Sequence, residues 1–356
     1  MNQPRGIEIV GGGLAGLSLG LALRRAGIKV AIFEAAGYPR HRVCGEFITG
    51  LSAATISRLG LAPILADALH HREVAWFIGE KPSGIQRLPA PALGLSRFAL
   101  DARLADAFVR AGGDLHTHER VTALDDRPGR VFAQGRRRAR SPWIGLKFHV
   151  RHLALDRDLE LHLGDHAYAG LSRVEAGAIN VCGLFRNCRA GSPDPADSTA
   201  VPRRGRATPP YTLLLDHLRT SGLSPLADRL AAAEIDDRSF SAVAALAFDH
   251  TPLAARGIAL GDACAMIPPF TGNGMAMAFQ SAEAALEPLL AYARDETSWS
   301  AACRVTRSAL RRRFRTRLAS AGMLHPFLLR PPHQRWFAAL NRARLLPFRP
   351  LYAALH

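Results

Sequence analysis

Glycines at 11, 13 and 16, wedged between two short apolar runs, decide how the first 34 residues fold. Residues 7–10 (IEIV) are mostly β-branched and read as a buried strand. Residues 14–26 (LAGLSLGLALRRA) read as a helix that stops at Gly27, and 28–33 (IKVAIF) as a second strand with Glu34 at its end. Strand, helix and strand in so short a span make a βαβ unit, which requires a parallel sheet. The three glycines do different things. Gly11 permits the tight turn, Gly13 lets a pyrophosphate approach the backbone, and Gly16 lets helix and strand pack closely. Leu14 and Ala15 open the helix, whose free N–H groups and positive dipole end suit an anion. Glu34, eighteen residues past the last glycine, is placed to accept hydrogen bonds from a ribose diol. The pattern predicts a dinucleotide site and does not by itself separate FAD from NAD.

Further along, residues 37–47 (GYPRHRVCGEF) form a polar, arginine-rich loop, 52–60 a helical stretch, and 73–78 with 83–88 a hairpin. Residues 100–111 make an amphipathic helix stopped by two glycines, and 116–124 (HTHERVTAL) supply another strand of the parallel sheet. From residue 146 the texture changes to short alternating segments (LKFHVR, LELHL, AYAGLSRV, INVCGLF), which read as antiparallel strands. Helices resume at 211–232, 257–261 is a strand returning to the first sheet, and a long helix starts near 274. The expected fold is α/β, α+β overall. It has a nucleotide domain in three pieces (1–72, 94–140, 254–300). A substrate domain holds the 73–93 hairpin and 141–253 with a loop at 189–210, and a basic helical tail covers 301–356.

Hydrophobic residues are 48% and charged residues 21%, which excludes a disordered or fibrous chain. The net charge is 46 − 30 = +16, yet only three basic residues are lysines (Lys29, Lys81, Lys147). The skew towards arginine is discounted as a sign of a nucleic-acid partner, and none is expected. The charge still suits anionic ligands and membrane surfaces. Five cysteines without a C-x-x-C pair read as a reduced, intracellular protein. No targeting segment is visible, so a cytoplasmic location is expected. Phe314, Leu318, Leu324, Phe327 and Leu328 interleave with the 311–317 arginine run and leave a peripheral membrane contact open.

A second motif, residues 261–275 (GDACAMIPPFTGNGM), places an Asp at a strand end, then prolines, then Gly-x-Gly opening a helix. Here the chain resembles the FAD-dependent oxidoreductases of the aromatic-hydroxylase and geranylgeranyl-reductase superfamily. The resemblance implies a glutathione-reductase-type FAD domain, with Asp262 on the ribityl chain. It implies that Gly261, Pro269, Gly272, Asn273, Gly274 and Met275 lie against the flavin end. Residues 39–46 (PRHRVCGE) are similar to a loop of the reductase branch that runs along FAD, which brings in Arg40 and Arg42 and sets Cys44 near the ring. Residues 97–104 (RFALDARL) resemble a helix start whose arginine contacts the cofactor, here Arg97. Cys44 is the one catalytic candidate, with Arg40 and Arg42 expected to lower its pKa.

The resemblance implies an enzyme with FAD and NADPH or NADH as electron donor. The favoured reaction is hydroxylation or epoxidation of a small hydrophobic or aromatic, polyketide-like molecule by reduced flavin and O₂, as in secondary metabolism. An alkene reduction of the geranylgeranyl-reductase type and a flavin binder without efficient turnover stay open. There are departures: Gln134-Gly135 stands where many hydroxylases have Asp-Gly, and the aromatic box of the isoprenoid reductases is missing around Tyr168. Ser18 fits G-x-S-x-G only formally, because it falls inside the first helix. The pairs His149/His152 and His162/His166 read as exposed strand histidines, and no metal site is expected.

Overall fold

The computed structural model describes residues 4–79, 81–123, 125–136, 140–186, 209–248 and 257–356. In chain order the strands are β1 (Ile7–Val10), β2 (Val30–Glu34), β3 (Phe47–Ile48), β4 (Leu69–Ile78), β5 (Lys81–Gly94), β6 (Asp114–Thr117), β7 (Arg130–Phe132), β8 (Trp143–Arg151), β9 (Leu159–Gly164), β10 (Ala167–Arg173), β11 (Ile179–Arg186), β12 (Glu234–Val243) and β13 (Ile258–Ala259). The helices are α1 (Leu14–Arg25), α2 (Ala53–Leu59), α3 (Arg97–Arg110), α4 (Thr212–Thr220), α5 (Ser224–Ala231), α6 (Gly274–Ala293), α7 (Trp299–Leu329), α8 (Pro331–Arg342) and α9 (Phe348–Leu355).

Five strands form a wholly parallel sheet in the order β13-β7-β1-β2-β6. β1 lies at the centre, paired with β2 and β7, and the turn after it leaves no room for a side chain at Gly11 or Gly16. A Cβ on Gly11, whose φ is +109°, would fall 2.4 Å from the Ala133 carbonyl carbon. A Cβ on Gly16 would fall 2.0 Å from the Gly11 oxygen. Only glycine fits either place. Ser18 is buried within α1 and donates to the Leu14 carbonyl, so it offers no nucleophile.

Eight strands form the second sheet in the order β12-β8-β11-β10-β9-β4-β5-β3, antiparallel except for the β4–β9 pair. β8 alternates as its sequence demands. Leu146, Phe148 and Val150 enter a core capped by α4 and α5, while Gly145, Lys147 and His149 share the other face. That second face meets the 37–47 loop of the nucleotide side, not solvent.

Several expectations change. β3 lies within the first stretch assigned to the nucleotide domain, yet it pairs with β5 in the antiparallel sheet. The strand expected at 116–124 is the shorter Asp114–Thr117, and β7 and β12 add to the strands expected. His149 and His162 are buried, not exposed: the first reaches Glu46 and the second Glu160. Most of the expected 189–210 loop lies outside the described residues. The C-terminal helices are no detached tail. Ala302, Leu310, Phe314 and Ala321 of α7 belong to the core under the parallel sheet. Leu328, Leu329 and Phe337 belong to the core beside β4, β9 and β10. Among the described residues no helix is long and apolar enough to cross a membrane.

Candidate active site

One cavity of about 630 Å³ runs between the two sheets. It opens at the C-terminal ends of β1, β2 and β13, the end where parallel α/β sheets bind ligands. A second hollow of about 680 Å³, around Gly6, Lys29 and Arg127, lies at the opposite ends of the strands. The main cavity is cationic at one end (Arg40, Arg42, Arg97) and apolar at the other (Leu161, Tyr168, Phe248, Met266).

The cavity brings most of the sequence-derived residues together. Gly13, Leu14, Ala15, Glu34, Arg40, Arg42, Cys44, Arg97, Gly261, Asp262, Pro269, Gly272, Gly274 and Met275 all line it. Gly11 and Gly16 stand behind the wall as packing positions. Asn273 is turned inward: its amide nitrogen donates to the Leu355 carbonyl at 2.7 Å and its backbone N–H is directed at Thr271 Oγ1.

The nucleotide end fits a dinucleotide on two observations. Space is open beside Gly13, where a Cβ would meet nothing within 4 Å. Arg40 Nε is buried there without a hydrogen-bond partner, as expected of a donor that awaits an anion, while Arg42 Nε stands 3.0 Å from Asp101. Glu34 accepts from the Gly12 amide at 2.8 Å, the Ala36 amide at 3.1 Å and Arg40 at 2.7 Å. Such a carboxylate can accept about four hydrogen bonds, so one place remains for a ligand hydroxyl. Asp262 follows β13 and faces the cavity. Burial raises its pKa, against the pull of Arg97, Arg136 and Arg42.

Arg97 holds the middle of the site. It grips Asp101 with two bonds of 2.7 and 2.8 Å, and its backbone N–H donates to Glu46 at 3.0 Å. Burial works against its charge, but the Asp101 carboxylate more than offsets this, and its pKa stands above the ordinary value. Cys44 behaves otherwise than expected. Arg40 is spent on Glu34, and Arg42 lies 3.0 Å from Asp101. Burial therefore dominates and raises the Cys44 pKa, with Arg97 opposing only in part. The thiol is held protonated.

The structure adds a group the sequence did not disclose. Glu46, two residues past Cys44 and fully buried, accepts from His149 Nε2 at 2.6 Å and stands 3.3 Å from Lys147 Nζ. Lys147 is fully buried too and lies 3.0 Å from His41 Nδ1. His41 lines the cavity and stacks on Phe98. Burial, Lys147 and His149 lower its pKa to about 4, so its ring is neutral. A lysine ammonium only donates, so Nδ1 of His41 accepts and its proton sits on Nε2. Glu46 keeps its charge: burial raises its pKa, but His149 and Lys147 prevail and lower it. The one clue in the sequence was Lys147 itself, inside an apolar strand. In the structure the φ of +55° at Glu46 marks the same spot.

A dinucleotide-binding Rossmann domain, an antiparallel sheet and a cavity closed between them define the fold of the flavin-dependent monooxygenases. The family of NAD(P)-binding Rossmann-like domains matches residues 9–45. The chain is similar to the solved structure of HpxO from Klebsiella pneumoniae, complexed with FAD and uric acid. That match has a TM-score of 0.75 at 18% identity and covers 99% of this chain and 97% of the other. Over 145 residues it is 29% identical to a menaquinone reductase of Mycolicibacterium smegmatis, covering 37% of this chain and 34% of that protein. Over 148 residues it is 31% identical to the 3-amino-4-hydroxybenzoate 2-monooxygenase PtmB3 of Streptomyces platensis, covering 38% and 37%. The chain thus spans about a third of the length of these two relatives.

Proposed function

We propose that this chain is an FAD-dependent oxidoreductase, with NADPH or NADH as reductant, that oxygenates a small apolar or aromatic molecule. The observation that carries the reading is the cavity between the sheets, cationic and glycine-lined at one end and aromatic-lined at the other. Gly13, Glu34, Arg40 and Arg42 would hold the ADP half, and Asp262 with the start of α6 would hold the ribityl and ring half. When bound, FAD supplies two-electron transfer and the activation of O₂. The similarity to PtmB3 supports oxygenation, and that to HpxO, complexed with FAD, supports the cofactor.

The chain's own part is to bind, to exclude water and to supply a proton. With Nδ1 committed to Lys147, His41 has only its Nε2–H to offer a cavity ligand. As that proton moves to the substrate, Nδ1 takes one from Lys147. The imidazole changes tautomer, stays neutral, and one proton in total leaves the lysine. Glu46 stands 3.3 Å from Lys147 Nζ and holds it beside His41.

The same relay favours a second reading, reduction of a conjugated alkene or quinone, since a hydride alone leaves an anion that needs a proton. The similarity to menaquinone reductase supports it. The first test is the visible spectrum of the purified protein and identification of the chromophore released by heat. NADPH oxidation is then followed with 4-hydroxybenzoate and with menadione as probes. Oxygen uptake matched to a hydroxylated product supports oxygenation. Anaerobic loss of menadione with no oxygen requirement supports reduction. A colourless protein that takes up no added FAD ends both.

A further inference from the structure

The last 56 residues hold twelve arginines and not one Asp or Glu, so they carry +12 of the net +16. They also expose large apolar side chains. Met323 is 76% exposed, Trp336 67% and Leu345 70%. These residues are connected. Met323 and Phe327 are one turn apart on α7, and Phe327 stacks on His333 at 4.7 Å. His333, Trp336 and Leu340 follow at helical spacing on α8, and the Leu345 amide closes back on the Leu340 carbonyl at 2.9 Å. The result is one apolar ridge across the α7–α8 corner.

Cations flank it. At about 100° per residue, Arg312 and Arg315 share the side of α7 that bears Met323 and Phe327, and Arg330 follows just beyond the helix. Arg335 and Arg342 lie to one side of Trp336 on α8. All five are exposed and form no ion pair among the described residues. By contrast, Arg313 is tied to Glu283, and Arg317 to Gln280. The inner side of the same corner sends His325, Leu328 and Phe337 into the apolar core that meets the cavity.

We propose that the α7–α8 corner docks on an anionic bilayer. Met323, Phe327, Trp336 and Leu345 enter the boundary between headgroups and acyl chains, and the five arginines bind lipid phosphates. Apolar tips ringed by unpaired cations match that surface in both chemistry and layering. A nucleic acid would use the arginines and leave the ridge in water. The inference is independent of the cofactor reading, because its test has no activity readout.

The test is co-sedimentation of the full chain with vesicles of phosphatidylcholine, alone or with about one third phosphatidylglycerol. Binding is expected only with the anionic lipid and should fall steeply with salt. Arg312→Gln with Arg335→Gln should weaken it on the order of 30-fold, at about fivefold per arginine. Met323→Ser with Trp336→Ser should weaken it at least as much with the melting curve unchanged, as both side chains are exposed. In the unaltered protein, bromine placed in the acyl chains should quench tryptophan emission, and Trp336→Phe should remove the quenching. No binding at low salt overturns the proposal. So does equal binding to an RNA duplex that ignores the Met323/Trp336 change. A dimer in sedimentation that Trp336→Ser dissolves would make the ridge a contact between copies and overturn it as well.

Discussion

Replacing Lys147 by methionine should strand a buried carboxylate. At 3.3 Å and an effective dielectric of about 20, the attraction between Lys147 and Glu46 is about 5 kcal/mol. Part of the loss is returned, because the buried lysine's own desolvation cost disappears. His149 still holds the other Glu46 oxygen at 2.6 Å. The net cost expected for Lys147→Met is about 3 kcal/mol, as for other buried pairs cut on one side. Glu46→Gln alone should cost a similar amount, since it leaves the ammonium with only His41. The double variant should cost less than the sum by about 2 kcal/mol or more, because nothing charged is left unpaired. Urea unfolding followed by circular dichroism at about pH 7.5 measures all three. Imidazole NMR adds an independent signal: in Lys147→Met the His41 pKa should climb from about 4 towards 6.5. A loss below about 1 kcal/mol for Lys147→Met, with an additive double variant, would refute the reasoning and leave the two groups as neighbours without coupling.

Gly16→Ala should not fold, since its Cβ would meet the Gly11 oxygen at 2.0 Å, whereas Gly13→Ala should fold normally and bind added FAD roughly 10- to 100-fold more weakly, because its methyl enters the nucleotide space. Thermal melts with and without FAD separate the two cases. Cys44→Ala should keep turnover within about threefold, and Cys44 should react slowly with iodoacetamide at about pH 7, because burial holds the thiol protonated. Stability should fall as pH drops. His41, His325 and His356 titrate near 4 when folded against about 6.5 when unfolded. Their contribution is full above pH 6.5 and is lost progressively towards pH 4. Glu160, held at about 2, extends the loss to lower pH, and Asp262 acts in the opposite direction. A urea midpoint flat between about pH 7 and 4 would contradict this.

The first βαβ unit was legible because its signals are local. Periodicity, glycine spacing and a terminal carboxylate all lie within residues 7–34. The second strand set was legible by alternation, but alternation says only that the faces differ, not what covers them. In β8 His149 read as an exposed histidine, and with Lys147 it proved to make the contact with the 37–47 loop. Glu46 and Lys147 are about a hundred residues apart in the chain, and neither has a local pattern that names the other. Asn273 misled for a related reason. It stands in a Gly-x-Gly turn among residues that face the cavity, yet its side chain is claimed by a carbonyl from α9.

The Asn273–Leu355 bond also bears on how the protein is made. The glycine turn at 11–16 emerges from the ribosome before the rest of the pocket. Its sheet gains β13 only when residues 258–259 appear, and the α6 end of the cavity is tied off only when α9 arrives. At about 5–20 residues per second, the half-built pocket waits roughly 15–70 s for its other wall. A nucleotide therefore has little to hold until α9 has been made.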